Sequence, residues 1–360
     1  MGRSFLAALA LGLASSWNIA NVGAVADGLA RSYDVRLAAI GLLTTVLFVM
    51  HTAVQLPGGR AIDRYGARAM GFASLAAIVA GNGIALADRS FWVALAGRAV
   101  MGLGTGTGFV AGSDYVRSVG GSPTRQGIYG GASIAGAGLA LAIVPQLGGW
   151  RAPYLSALAI AVAVALVLAV APPLARTARS RPLSILRDRR LLRLGLLHSS
   201  SFGLGIVAGN WVVTLLEHGG HGHRVAALAG ALTLLAGLVT RPLGGMLSRP
   251  WRAVPVSLVG GAIGCALLAT PSPLPVLALG ALLVGLAAGM PFAPVFTGAA
   301  QLRADAPAAA VGVANGVANL AILVGTPLVG LTFSLPGDGR IGFALLGVAS
   351  LAGLLLLRHQ

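Results

Sequence analysis

Long apolar runs separated by short polar gaps repeat along the whole chain. A helix needs about 20 mostly apolar residues to cross a bilayer. The pattern predicts twelve such helices, first at 5–26, 37–57, 69–87, 91–114, 127–149 and 152–172. The second six fall at 194–216, 225–247, 253–270, 274–299, 310–335 and 341–357. Gly and Pro inside these runs do not argue against helices, because lipid leaves the backbone few other partners. Glycines also let helices approach closely. The N-terminus, MGRSFLAALALGLASS, starts like a signal peptide, but its apolar run continues past Trp17 to Ala26 and many spans follow. It reads as a retained first span.

Composition agrees with lipid as the solvent. The chain has 360 residues, 56% hydrophobic and 9% charged, where a soluble domain carries roughly 25% charged residues. A formal net charge of +16 could suggest a nucleic-acid partner. All 25 basic residues are Arg, however, and they sit in the gaps between apolar runs rather than on one face. The pattern therefore points to a lipid bilayer and not to nucleic acid. With the N-terminus cytoplasmic, 17 arginines fall inside, six outside, and Arg98 and Arg241 within spans. The positive-inside rule then places both termini in the cytoplasm, with the chain in the inner or plasma membrane. Cys265 is the single cysteine, so an intrachain disulfide is excluded.

The longest polar stretch, Arg-rich and opened by Pro172, divides the chain into 1–171, a cytoplasmic linker at 172–193, and 194–360. The linker can also meet anionic headgroups. An internal repeat supports the division. Pro57-x-Gly59-xxx-Asp63-Arg64 aligns with Pro242-x-Gly244-xxx-Ser248-Arg249 at an offset of 185, which also sets Gly127 on Gly312 and Gly131 on Gly316. Two-fold repetition of this kind underlies alternating access in transporters.

The most specific motif is Gly59-Arg60-Ala61-Ile62-Asp63-Arg64-Tyr65-Gly66-Ala67-Arg68, expected as a cytoplasmic loop between the second and third spans. It resembles the major facilitator signature G-x3-D-[RK]-x-G-x-[RK]. Arg98-Ala-Val-Met-Gly102-Leu-Gly104 resembles that family's R-x3-G-x-G pattern in the fourth span. Arg125-Gln-Gly127 and Gly149-Trp150-Arg151 are similar to its boundary patterns. The resemblance implies an all-α membrane protein of two pseudo-symmetric six-helix bundles, usually monomeric, acting on a small-molecule solute without a cofactor. It also implies a gating role for Gly59, Asp63, Arg64, Gly66 and Arg68, with Ser248 and Arg249 at the matching positions. Physically, an Asp at a helix N-terminus and Arg near carboxylates can form such a latch. A basic topogenic loop would explain the arginines but not Asp63 or the glycines.

Polar residues inside spans are the substrate candidates, because lipid makes them costly. They are Asn18 and Asn21; His51 and Gln55; Arg98; His198, Asn210 and Trp211; Arg241; and Asn315 and Asn319. For each Asn, an interhelical hydrogen bond is the plain alternative, and Arg98 could instead snorkel to headgroups. Arg98 and Arg241 give one cation per half with no mid-span carboxylate, which favours a polar or anionic solute. Histidine titrates near neutral pH, so His51 and His198 are options for a coupling proton, or are neutral hydrogen-bonded groups. Glu217, His218, His221 and His223 lie in a Gly-rich loop. They could ligate Zn, but the loop's flexibility argues for a solvated segment and no metal.

The sequence thus favours a secondary active transporter. Drug or metabolite efflux is the alternative, weakened because Gly130, Gly131, Gly136 and Gly138 lack the Pro of the usual antiporter motif. A polytopic enzyme or sensor would need a catalytic cluster, and none is evident. A phosphate-binding Gly-rich loop is lacking too, as is any filter-like repeat of a channel.

Overall fold

The computed structural model describes residues 2–173 and 183–357, and among them every regular element is helical. Most of the linker, 174–182, lies outside the described residues. The helices of the first half are α1 (Arg3–Ala20), α2 (Ala26–Tyr33), α3 (Leu37–Ala53), α4 (Gln55–Tyr65), α5 (Ala67–Ala87), α6 (Phe91–Ser118), α7 (Pro123–Leu147) and α8 (Ala152–Ala169). Those of the second half are α9 (Arg189–His198), α10 (Leu204–His218), α11 (His223–Met246), α12 (Pro250–Ala269), α13 (Leu274–Gly289), α14 (Phe292–Leu302), α15 (Pro307–Leu331) and α16 (Arg340–Ala352). Among the described residues, eleven stretches are long and apolar enough to cross a membrane, and the pair Ala39–Ala53 and Gln55–Tyr65, bent by 49°, makes a twelfth when counted as one span.

Several spans are broken where the apolar pattern runs on. The first stops at Ala20, turns through Gly23–Val25 and resumes as α2. The tenth breaks between α13 and α14, at Met290 and Pro291. The seventh contains one π turn at Ser199–Gly203. There the hydroxyls of Ser199, Ser200 and Ser201 donate to the carbonyls of Gly195, Leu196 and Leu197, four residues back. Such back-bonding competes with the ladder and distorts the helix. The stretch expected as a loop at Gly59–Arg68 is also different. It is helical through Tyr65 and turns only at Gly66, whose φ of 90° is a left-handed value that glycine tolerates.

The chain divides into two compact units. Unit 1 comprises Met1–Ser122, Ala132–Ile185 and Ala300–Val313, and unit 2 comprises Pro123–Gly131, Leu186–Ala299 and Ala314–Gln360. Each therefore includes a short segment from the other sequence half.

Unit 1 is organised around α6, whose glycines fall on two faces. A Cβ on Gly106 would meet Val54 and the His51 carbonyl of α3, and one on Gly102 would meet Leu47 and Met50 of the same helix. One on Gly104 would lie 2.7 Å from the Ser74 carbonyl oxygen of α5. Ser74 Oγ in turn donates to the Gly104 carbonyl at 2.7 Å. In lipid the hydrophobic drive between helices is absent, so such close backbone packing supplies the association energy. The α5–α6 crossing is also reciprocal at Gly81 and Gly97, each facing the other's carbonyl.

Unit 2 repeats that crossing in α12 and α13. A Cβ on Gly264 would lie 2.7 Å from the Gly280 carbonyl, and one on Gly280 would lie 2.9 Å from that of Gly264. This is a second, structural instance of the internal repeat. Large apolar side chains face outward in both units, among them Trp92, Leu166, Leu228 and Val256. That is the surface a lipid-solvated bundle presents.

The crossing glycines give a first prediction. Gly280→Leu should lower the melting temperature in detergent by several degrees, since overpacking a crossing costs about 1–3 kcal/mol or more. An unchanged melting curve would contradict the packing role.

Candidate functional site

In unit 1, Asp63 lies buried near the end of α4. Its carboxylate accepts two backbone hydrogen bonds, Oδ1 from Ala308 N–H and Oδ2 from Ala309 N–H, both at 3.0 Å. These are first-turn donors of α15, which opens with Pro307. Pro at that place lacks an N–H of its own, and the next two would be orphaned in lipid. Asp63 thus caps a helix 245 residues away in sequence. Caps of this type are worth about 1 kcal/mol, and a carboxylate at a helix N-terminus can add up to about 2 kcal/mol.

Gly59 makes the approach possible. A Cβ there would sit 2.6 Å from the Ala308 oxygen and 2.7 Å from Ala309 Cα. One turn earlier, the Gln55 carbonyl packs against Gly312. Arg64 is exposed, with its guanidinium 5.1 Å from the Tyr65 ring centroid. Arg68 turns to α8 instead, donating to the carbonyls of Leu168 at 3.3 Å and Ala169 at 2.7 Å. It therefore supplies a cationic C-terminal cap to the sixth span.

Unit 2 holds a related contact without the charge. Gly245 of α11 packs on the backbone of Pro123 and Thr124 at the start of α7, and Thr124 Oγ1 donates to the Gly245 carbonyl at 2.8 Å. Gly127 packs on the Arg241 carbonyl as Gly312 does on that of Gln55. These contacts put Gly245, one residue beyond the Gly244 of the sequence alignment, in the place of Gly59. Ser248 and Arg249 are exposed beyond the end of α11.

The polar span residues fall into separate groups. Arg98 is fully buried in unit 1. Its Nη1 donates to the Asn18 carbonyl at 2.7 Å and to Asn21 Oδ1 at 3.2 Å, and its Nε donates to the Leu43 carbonyl at 3.0 Å. Asn18 lies in the last turn of α1, where carbonyls lose their helical partners. Asn21 Nδ2 donates to the Pro153 carbonyl at 2.8 Å, and Asn82 Nδ2 to Asn18 Oδ1 at 3.0 Å. This network fills hydrogen-bonding capacity at the break of the first span. His51 Nδ1 lies 3.0 Å from Thr105 Oγ1, and its ring stacks on Phe48. Thr105 Oγ1 also lies 3.1 Å from the Gly102 carbonyl, to which it donates. Gln55 is buried with neither amide atom paired.

In unit 2, Trp211 Nε1 donates to the Thr326 carbonyl at 2.8 Å, and Asn210 Nδ2 to Thr326 Oγ1 at 3.3 Å. Asn315 and Asn319 are buried on α15, and Asn319 Nδ2 is unpaired. Arg241 is buried with one hydrogen bond, from Nη1 to the Gly130 carbonyl at 2.9 Å. Its guanidinium carbon lies 4.9 Å from the Phe202 centroid and 4.5 Å from that of Phe292. His198 packs among Phe202, Phe292 and Phe296, with neither nitrogen paired. Among the described residues, no carboxylate pairs with Arg98 or Arg241.

Sequence reasoning missed the aromatic side chains around Arg241 and His198. It also missed a cleft of about 530 Å³ in unit 1 beside the α1–α2 break, where Asp27, Arg31, Arg89 and Trp150 are among the lining residues. The apolar pattern hid both, because breaks in the helices create them. The side chain of His223 lies outside the described residues. Among the rest, no three His, Cys, Asp or Glu residues gather as metal ligands, and His218 Nδ1 lies 3.9 Å from Asp338 Oδ1.

Membrane-length helices, a glycine crossing repeated in both units and a carboxylate-capped helix mark a multi-pass helical membrane protein built on an internal repeat. The chain belongs to the Major Facilitator Superfamily, whose family profile matches residues 6–326. The proteins of this family are transporters and not enzymes. Among solved structures, the chain is similar to the proton:xylose symporter XylE bound to 6-bromo-6-deoxy-D-glucose. That match has a TM-score of 0.81 at 15% identity and covers 99% of this chain and 94% of the other. The human organic anion transporter MFSD10 (TETRAN) gives 0.76 at 19%, covering 99% and 98%. The E. coli fucose:proton symporter FucP gives 0.77 at 15%, covering 99% of each. No curated protein matches the chain by sequence.

The Arg98 network carries a second prediction. Arg98→Gln leaves carbonyls of Asn18 and Leu43 without their donors, at about 1–3 kcal/mol for each buried group. It should lower the melting temperature and the yield of monodisperse protein. Asn210→Ala, at an exposed side chain, should leave both nearly unchanged. Equal stability of the two variants would contradict a structural role for Arg98.

Proposed function

We propose that the chain is a secondary active transporter that moves a small polar or anionic solute by alternating access. The observation that carries the solute class is the burial of Arg98 and Arg241 in span interiors without a carboxylate partner among the described residues. The buried carboxylates Asp63 and Asp114 lie instead near the ends of α4 and α6. Fixed positive charge in low dielectric favours anions and disfavours organic cations. The similarity to an organic anion transporter and to two proton symporters is consistent with this class.

In this reading, residues 1–171 and 194–360 are the two halves, 172–193 is a cytoplasmic linker, and both termini are cytoplasmic in the inner or plasma membrane. The Asp63 cap on α15 is the inward gate. Its value of a few kcal/mol suits a contact that must break in every cycle, because a conformational equilibrium responds to differences of that size. His51, buried with its Nδ1 3.0 Å from the hydroxyl of Thr105, is the candidate for a coupling proton. The protein acts as a monomer.

Flux into proteoliposomes tests this directly. Radiolabelled monocarboxylates and sugars should accumulate under an imposed gradient, while organic cations should not. Asp63→Asn should slow uptake about tenfold, the equivalent of about 1.4 kcal/mol, with membrane insertion intact. Flux of organic cations alone would favour the efflux reading, and wild-type kinetics in Asp63→Asn would remove the gate assignment.

A further inference from the structure

The two buried arginines differ in what their guanidinium groups have left to offer. Arg98 gives Nε and Nη1 to three oxygen acceptors and closes the break after α1, so its Nε–Nη2 edge is half used and only Nη2 is unpaired. Arg241 gives only Nη1, to the Gly130 carbonyl, and its Nε is buried without a partner. Nε and Nη2 form the edge of the guanidinium that grips a carboxylate side-on with two parallel hydrogen bonds. At Arg241 that edge is not committed to any described protein group.

The surroundings are built rather than accidental. The π turn after His198 places Phe202 flat against the imidazole, with centroids 4.9 Å apart and planes 14° apart. The break before α14 places Phe292 and Phe296 in a stack at 4.3 Å. Gly130 lets them pack directly against α7, since a Cβ there would lie 2.7 Å from Phe292 Cδ1 and 2.9 Å from Arg241 Cδ. Phe202 and Phe292 both hold the guanidinium through their faces, which stabilises a desolvated cation without neutralising it. His198 touches the same two rings and has both nitrogens buried and unpaired. A neutral imidazole carries one N–H donor and one acceptor, so two further polar groups beside this apolar nest are unsatisfied. A nest of aromatic faces with a fixed cation and unpaired donors matches a flat apolar body that carries a carboxylate.

We propose that the Arg241–Phe202–Phe292 nest, with His198 beside it, is a carboxylate subsite of the solute, and that Arg98 is not part of it. The Nε–Nη2 edge of Arg241 grips the carboxylate, the phenylalanine rings cover the apolar body, and His198 supplies an additional N–H. This assignment rests on the transporter reading above and narrows its solute to aromatic or similarly flat monocarboxylates.

Benzoate is a suitable probe, with benzamide and benzylamine as neutral and cationic counterparts of the same shape. Calorimetric titration and thermal shift of the full chain in nanodiscs should show benzoate binding and no comparable signal from the other two. Arg241→Gln should weaken benzoate at least tenfold, and so should Arg241→Lys, which keeps the charge but loses the planar fork. His198→Phe should weaken benzoate several-fold while raising the melting temperature, because it removes unpaired polar atoms; a merely structural histidine would not divide the two readouts in this way. Benzoate affinity within twofold of wild type in a folded Arg241 variant, or benzamide binding as tightly as benzoate, would overturn the subsite. Absence of benzoate and other arylcarboxylate binding to the wild type would also overturn it. Solute flux in proteoliposomes scores the transporter reading separately, so the two can fail independently.

Discussion

Hydrocarbon offers no hydrogen bonds, so every backbone polar group within a span must find a protein partner. Helices meet that demand along their length but not at their ends. The structure meets it there with side chains brought from remote parts of the chain. Asp63 caps the start of α15, Arg68 caps the end of α8, and Arg98 takes up carbonyls at the break after α1. Each cap requires two helices to lie close together, and the glycines at the crossings make that approach possible. Asp63, Arg68 and Arg98 are thus committed to holding helix ends.

The same constraint separates structure from function among the buried polar groups. At Arg98, Nε and Nη1 meet backbone and amide oxygens and Nη2 alone stays unpaired, so the group chiefly stabilises the fold. At Arg241 the guanidinium is held by aromatic faces and its Nε is unpaired, which is the basis of the proposed carboxylate subsite. The Asp63 contact lies between these cases. It satisfies two amides in this arrangement, and in the proposed gate it is weak enough for other partners to replace it.

Much of the fold is legible in the apolar pattern because lipid makes the rule simple. Runs of about 20 apolar residues become helices, and the family signature at Gly59–Arg68 marks its own place. The breaks are not legible. Ala20 to Ala26 and the Met290–Pro291 step are as apolar as their surroundings, and only tertiary partners such as Arg98 make a break tolerable there. The π turn is not legible either, since nothing in a run of three serines says that their hydroxyls bond back to the helix. For the polar candidates, helix position is readable but partners are not. Asn18, Asn21 and Arg98 share one network, whereas Asn210 and Trp211 meet Thr326. The repeat is visible in sequence through its glycines, but its contact register in α11 differs by one residue, which only backbone packing reveals.

The central claim is that the Asp63 carboxylate protects the first amides of α15. Hydrogen–deuterium exchange of Ala308 and Ala309, followed by mass spectrometry in wild type and Asp63→Asn, measures that protection. The account predicts faster exchange at the start of α15 in the variant, by about tenfold for a cap worth about 1.4 kcal/mol, with the middle of the helix unchanged. Identical exchange at those two amides in both proteins would contradict it.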